Sequence, residues 1–275
     1  MSETGTTGQR IDVVLVVGGV WHDFDFARLE LLKLLAEHDE FRVRCQADYE
    51  DTEWLEPDAA HPAQILVTYT CDVRPSERAQ RVIREWVERG GRMVALHGTS
   101  TSLEQTPDGW AAPRTSPLWI ATLGSQFIAH PPIAPYRVEN ADSDHWLVAG
   151  IEPFEVTDEL YLNEYPDREA LVPLLRTHFQ GDARGFVERD WSDCDPEHLV
   201  MYLRPLGEGA VLYNTLGHCR GHYDMVPAKA YYPTVDRCSW DLPVLYELLR
   251  RALWWARGTV PQPTPEGRGA DGPES

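Results

Sequence analysis

Three histidines stand at positions where chemistry could be done. His22, His97 and His218 each follow a short apolar run that reads as a β-strand. Histidine changes charge near neutral pH, so a group of them suits general acid–base catalysis. His130 precedes a Pro-Pro turn in LGSQFIAHPP, where it serves equally well to tie down a loop. Glu159 lies in VTDELYLNE beside Asp158. Such acids usually form a solvated face, but one turned inward beside a histidine could act as acid or base. The candidate catalytic set is therefore His97, His130, His218 and Glu159. A second chemistry is open to the same residues. His22, His97, His130, His218, His222 and Asp224, with Glu159, are donors that suit zinc or another divalent transition metal. His218 and His222 are four apart, but Gly217 and Gly221 make that stretch a loop, and no short metal motif is present.

Positioning these groups requires a sheet. Ile11–Val17 is a near-continuous β-branched run ending at Gly18 and Gly19, as expected of a strand buried on both faces. Phe26–His38 carries apolar residues at helical spacing. Phe41–Cys45, Gln64–Tyr69 and Arg92–Leu96 read as further strands. Pro75–Arg89 reads as an amphipathic helix with Pro75 in its first turn and Gly90-Gly91 past its end. This alternation predicts a parallel, doubly wound sheet flanked by helices. The second half adds strands at Ile133–Glu139, Ala170–Thr177, Gly185–Arg189, Leu199–Leu203 and Ala210–Asn214. A hairpin turn is expected at Gly207-Glu208-Gly209, and Asp241–Arg257 is expected to be a closing helix with Trp254 and Trp255 as packing residues.

Ligands of open parallel sheets bind beyond the carboxyl ends of the strands. Trp21, His22 and Asp23 follow the first strand, His97 ends the fourth, and His218, Arg220, His222, Tyr223 and Asp224 follow Ala210–Asn214. Met93–Leu103 reads as a strand, a Gly-bearing turn and a Thr/Ser-rich helix start. Its free backbone N–H groups could meet an anion or a developing oxyanion, and Thr99 or Ser100 could equally be a plain N-cap.

Composition narrows the classes. The chain has 275 residues and a formal net charge of −19, with 43% hydrophobic residues. That charge disfavours nucleic acid and anionic membranes as partners. No signal peptide is visible at the N-terminus, and no apolar run could span a bilayer. Five scattered cysteines (Cys45, Cys71, Cys194, Cys219, Cys238) form no CxxC pair, so a reducing cytoplasm is the simplest expectation. Residues 11–258 are expected to form a single domain, with 1–10 and 259–275 as flexible tails. A homo-oligomer is compatible with the sequence but carries no signal.

The stretches GGVWHDF (Gly18–Phe24), VALHGTS (Val94–Ser100), LGSQFIAHPP, DHWLVAGIEPFEVTDELY (Asp144–Tyr161) and VLYNTLGHCRGHYD (Val211–Asp224) stand in the order found in ThuA-like (trehalose utilisation) proteins. The chain resembles that family over roughly Ile11 to Gly258. The resemblance implies an α/β fold of the class I glutamine amidotransferase type, with a flavodoxin-like parallel sheet. It implies a small sugar or keto-sugar as ligand, and it carries His22, His97, Gln126, His130, Glu159, Tyr161 and His218 over as the site. Arg220, His222 and Asp224 join them through the CRGHYD stretch, a subgroup feature. Trp21, Tyr161 and Tyr223 could stack on sugar faces, which makes Trp21, His22, Asp23, Gln126, Tyr161, Arg220 and Tyr223 the substrate-binding candidates. The family often has Pro after the DxDH histidine, where Trp146 stands here. It also follows the tyrosine of the EQYY segment differently, where Leu162, Asn163 and Glu164 stand here. The amidotransferase elbow needs a cysteine, and the corresponding turn reads Leu96-His97-Gly98-Thr99. Glutamine hydrolysis is therefore not expected. Ser100 and Ser102 lie outside a G-x-S-x-G frame. Three readings follow: a histidine-based enzyme on sugars, a metal-dependent hydrolase or lyase on sugars, and a non-catalytic sugar-binding module.

Overall fold

A computed structural model describes residues 10–188, 197–226 and 228–259. The elements run β1 (Ile11–Gly19), α1 (Phe24–Leu35), β2 (Phe41–Gln46), β3 (Ile65–Cys71), α2 (Glu77–Glu88), β4 (Arg92–Leu96), β5 (Glu104–Thr106), β6 (Gly109–Ala111) and α3 (Pro117–Leu123). They continue as β7 (Gln126–Ala129), β8 (Ala134–Asn140), β9 (Phe154–Asp158), β10 (Leu162–Glu164), β11 (Val172–His178), β12 (Glu197–Leu206), β13 (Gly209–Asn214) and α4 (Pro243–Arg257). Nine strands form one sheet in the order β2-β1-β3-β4-β13-β12-β11-β8-β9. The first five are parallel, and β12, β11, β8 and β9 extend the sheet antiparallel. The parallel half is the flavodoxin-like arrangement, with β13 in the fifth place.

The β-branched run of β1 serves two cores at once. Val13, Leu15 and Val17 face α1 and α4, together with Leu31, Leu34, Leu248 and Leu249. Val14 and Val16 face the other way, toward Ala79, Ile83 and Trp86 of α2 and Trp119 of α3. Alternate residues of a strand point to opposite faces, so both parities must be apolar when helices cover both sides. Trp255 is buried and Arg92 lies over its ring at 5.2 Å, a packing role.

Several boundaries differ from the sequence reading. Helix α1 begins at Phe24 because Asp23 caps it, accepting from Phe26 N at 3.1 Å. Pro75 precedes the cap of α2 instead of entering its first turn, since Ser76 accepts from Ala79 N. Gly185–Arg189 is not a strand: Phe186 makes only an isolated bridge to Trp110, and Arg189, like Cys194 and the tail beyond Thr259, lies outside the described residues. The expected helix after His97 is a single 3-10 turn, His97–Ser100. Thr99 Oγ1 there donates to Leu96 O at 2.7 Å and caps nothing, so no helix N-terminus stands at that position. Strands β5, β6, β7, β9 and β10, and helix α3, were not foreseen.

Candidate functional site

Three strand ends and one crossing loop converge. His22 lies just past β1 and His97 just past β4. His218 lies just past β13, and Glu159 directly follows β9. One ligand atom from each lies within 4.8 Å of every other, and all four residues are buried. His22 Nε2 is 2.9 Å from His97 Nε2. Glu159 Oε2 stands 3.3 Å from His218 Nδ1, 3.5 Å from His97 Nε2 and 3.8 Å from His22 Nε2. Its other oxygen, Oε1, faces His130 Nε2 at 3.3 Å.

The backbone is bent to make this possible. His97 adopts φ 43 and Trp21 φ 79, left-handed conformations uncommon for such residues and concentrated at functional sites. Gly98 lets the turn lie against β3, since a Cβ there would stand 2.5 Å from Thr70 O. His97 Nδ1 faces Thr215 O at 2.8 Å, so it carries the proton and leaves the Nε2 lone pair directed at the cluster. Asp158, fully buried, accepts from the N–H groups of Glu159 (2.7 Å), Gly217 (3.0 Å) and His218 (3.1 Å). That carboxylate pins Glu159 and the His218 loop to each other. Tyr69 O–H and Trp240 Nε1–H both donate to Gly217 O, fixing the same loop from the opposite side.

Charge balance follows from burial and mutual contact. Burial is the largest influence on His22 and holds it down at about 3, with His97 and His218 adding to the effect and Glu159 opposing it. Burial would raise the Glu159 carboxyl, but His130, His218 and His22 outweigh it and hold Glu159 well below the usual carboxylate range. Burial opposes protonation of His218, yet the Glu159 charge and hydrogen bond raise it overall. Burial drives the Cys71 thiol and Tyr161 phenol well above their ordinary values, so both stay neutral.

Three of the four cluster residues, His22, Glu159 and His218, line a cavity of about 340 Å³, with His97 behind them. Its aromatic wall includes Trp21, Trp110, Phe127, Tyr161 and Phe186, with Trp21 edge-on to Trp110 at 5.3 Å. Of the sequence-derived candidates, His22, His97, His218, Glu159, His130, Tyr161, Trp21 and Arg220 meet at the cluster or line this cavity. The others are employed elsewhere. Gln126 is buried in β7 and donates to Phe127 O. Asp23 caps α1 and pairs with Arg237 at 3.0 Å. His222 stacks on Tyr231 and faces Tyr232 O, outside the four-residue cluster. Asp224 accepts from Gly221 N and serves its own turn. Tyr223 is 73% exposed and stands outside the cavity wall. The loop turns these last three away because the Arg220–Asp236 backbone pairing folds 220–236 back on itself. Asp158, Trp110, Phe127 and Phe186 went unforeseen. Only Asp158 left a trace, as an acid beside Glu159, because β9 itself was not read from the sequence.

Comparison with known proteins agrees with this architecture. A family model described as trehalose utilisation (ThuA) matches residues 13–230. A putative ThuA-like protein from Bacteroides uniformis superposes with a TM-score of 0.62 at 14% identity, over 93% of this chain and 95% of that one. A second, from Parabacteroides merdae, gives 0.58 at 17% identity over 94% of each chain. A β-galactosidase from Rahnella sp. R3 shares the fold over 92% of this chain but only 32% of its own, with a TM-score of 0.51 at 12% identity. None of the curated proteins compared matches the chain. The nine-stranded α/β sheet and the family match across residues 13–230 together show that this chain belongs to the ThuA (trehalose utilisation) family.

Proposed function

We propose that this protein is a metal-dependent enzyme acting on a small sugar derivative, with His22, His97, His218 and Glu159 as the ligands. The observation that carries this reading is the mutual approach of four buried donor atoms within 4.8 Å. Donors about 2.0–2.2 Å from a zinc ion stand roughly 3.3 Å apart in a tetrahedral set. Four of the six separations, 2.9, 3.3, 3.5 and 3.8 Å, bracket that value, and the other two stay within 4.8 Å. Three imidazoles and a carboxylate suit zinc, iron, manganese or nickel.

A bound divalent metal supplies Lewis acidity toward a substrate carbonyl or hydroxyl oxygen. The chain's own residues supply the rest. His130 is the more exposed imidazole beside the cluster, with a side chain 29% exposed, and is placed to exchange a proton with a ligand in the cavity. Glu159, kept ionised, holds His130 and the cluster in one register. Trp21, Trp110 and Phe186 offer apolar faces to a sugar ring and exclude water. The sugar class rests on the family's description and on this aromatic lining. Thiolate amidotransferase chemistry is not part of the proposal. His97 occupies the elbow, and the cavity's cysteine, Cys71, is a neutral buried thiol. No described helix is long and apolar enough to cross a membrane, which is compatible with the cytoplasmic location we propose.

A metal-free acid–base site is the second reading, favoured by one observation: a single proton could bridge His22 and His97 at 2.9 Å. Titration calorimetry of chelator-treated protein with zinc separates the two. Tight, near-stoichiometric uptake abolished in Glu159→Gln supports the metal reading, and no uptake leaves the acid–base site.

A further inference from the structure

Among the described residues, two buried donors in residues of the cavity wall find no partner: Trp21 Nε1 and Arg220 Nε. Buried donors are nearly always satisfied, so each unpaired one asks for a ligand atom. The Arg220 side chain is only 11% exposed. Its Nη2 is held by Asp236 at 2.8 Å, its Nη1 reaches only the weak acceptor Met225 Sδ at 3.2 Å, and the guanidinium lies over Tyr232 at 3.9 Å. The group is therefore fixed in place with donors to spare. Trp21 is itself held at φ 79, a conformation that costs energy for a bulky residue and persists where the surroundings require it. A guanidinium in this wall also runs against a chain that carries 44 acidic residues and 25 basic ones.

We propose that the substrate bears a carboxylate, received by the Arg220 guanidinium with the Trp21 indole N–H as a second donor, so that the ligand class is sugar acids. The inference rests on reading this cavity as the substrate site. Asp236 takes Nη2, so the remaining Nε and Nη1 N–H groups lie on different edges of the guanidinium, and a carboxylate would take one of them with the indole N–H as its second donor. Asp236 already offsets part of the guanidinium charge. A monoanion is thus better matched than a phosphate dianion. The apolar aromatic wall contacts the sugar ring while the carboxylate supplies orientation.

The test is titration calorimetry on the full chain with zinc offered, at low ionic strength, using D-glucuronate and D-galacturonate against D-glucose and D-galactose. At least one uronate should bind about tenfold or more tighter than its neutral counterpart, the scale of one charge-assisted contact. Arg220→Gln should erase that preference and Arg220→Lys should retain part of it. Asp236→Asn, which frees the guanidinium, should strengthen uronate binding. This variant decides the matter if Arg220→Gln fails to fold. Equal affinity for acid and neutral sugar, full preference in Arg220→Gln, or no gain in Asp236→Asn would each overturn the proposal. Zinc content of the same samples reports separately on the metal. Uronate preference without zinc sustains this inference and removes the metal, whereas zinc without uronate preference does the reverse.

Discussion

Replacing Asp158 by Asn tests whether the cluster is held together from behind. The native carboxylate accepts three backbone N–H groups with both of its oxygens, Oδ1 from Glu159 and His218 and Oδ2 from Gly217. An amide keeps one acceptor and turns an NH2 group toward the donor served by the other. At best two bonds survive, now without charge, and the Gly217 N–H faces another donor. Losing one charge-assisted hydrogen bond costs about 1.5–3 kcal/mol, and stranding the buried N–H adds about 1–3 kcal/mol. The expected loss is thus roughly 3–5 kcal/mol if the loop stays in place, and less if it swings out to reach water. In the second case His218 leaves the cluster. Urea denaturation and zinc titration on one preparation read both outcomes. The reasoning requires a stability loss above about 2 kcal/mol or a zinc affinity reduced at least tenfold. A variant that matches the native protein in both would show that Asp158 positions nothing.

Other outcomes follow from the same geometry. His97→Ala should lose metal binding and also destabilise the fold by about 2–4 kcal/mol, because it strands Thr215 O, opens a cavity and places alanine at φ 43; His97→Asn, which tolerates that backbone better, should bind no metal yet unfold closer to the native midpoint in a thermal melt. Gly98→Ala should disrupt the site from the backbone side, since its Cβ would meet Thr70 O at 2.5 Å and Cys71 Cβ at 2.8 Å; unchanged zinc uptake in that variant would contradict the tight packing of the turn on β3. The metal-free protein should lose stability as pH falls from about 6.5 toward about 3. Across that window the unfolded chain protonates His22 while the folded one resists, so unfolding takes up a proton. The depressed Glu159 works in the same direction, its stabilisation being present above the unfolded carboxylate range and lost as pH falls. The raised His218 works oppositely, its contribution being full below the ordinary histidine range and lost as pH rises through its folded value. Denaturation midpoints between pH 3 and 8 would show the acid-side decline, and a flat profile would contradict the buried, neutral His22.

Four strands of the parallel half were legible because they are buried on both faces and read as largely apolar runs, Ile65–Cys71 as clearly as β1, whereas the edge strand β2 is only partly buried and alternates apolar and polar residues. The strand-end rule then drew His22, His97 and His218 from three distant segments, and they do converge. Less was legible where structure depends on a partner. Strands β7 and β10 are too short to show a period and exist because they pair with each other, and Phe127 reaches the cavity wall only through that pairing. Trp110 and Phe186 meet through one isolated bridge that no local pattern encodes. Asp158 and Glu159 are neighbours with different duties, one turned to backbone N–H groups and the other to imidazoles, a division set by the end of β9 and invisible in composition. His222 and Asp224 share a motif with His218, yet the fold-back at Arg220 and Asp236 sends them elsewhere.

The most direct test of the account is elemental analysis of tag-free protein prepared without added metal or chelator, with Glu159→Gln and His97→Asn prepared in parallel. Near-stoichiometric zinc, iron, manganese or nickel in the native chain, absent from both variants, is the predicted result. A native protein that holds no such metal and takes up none when each is offered would contradict a metal centre built from His22, His97, His218 and Glu159.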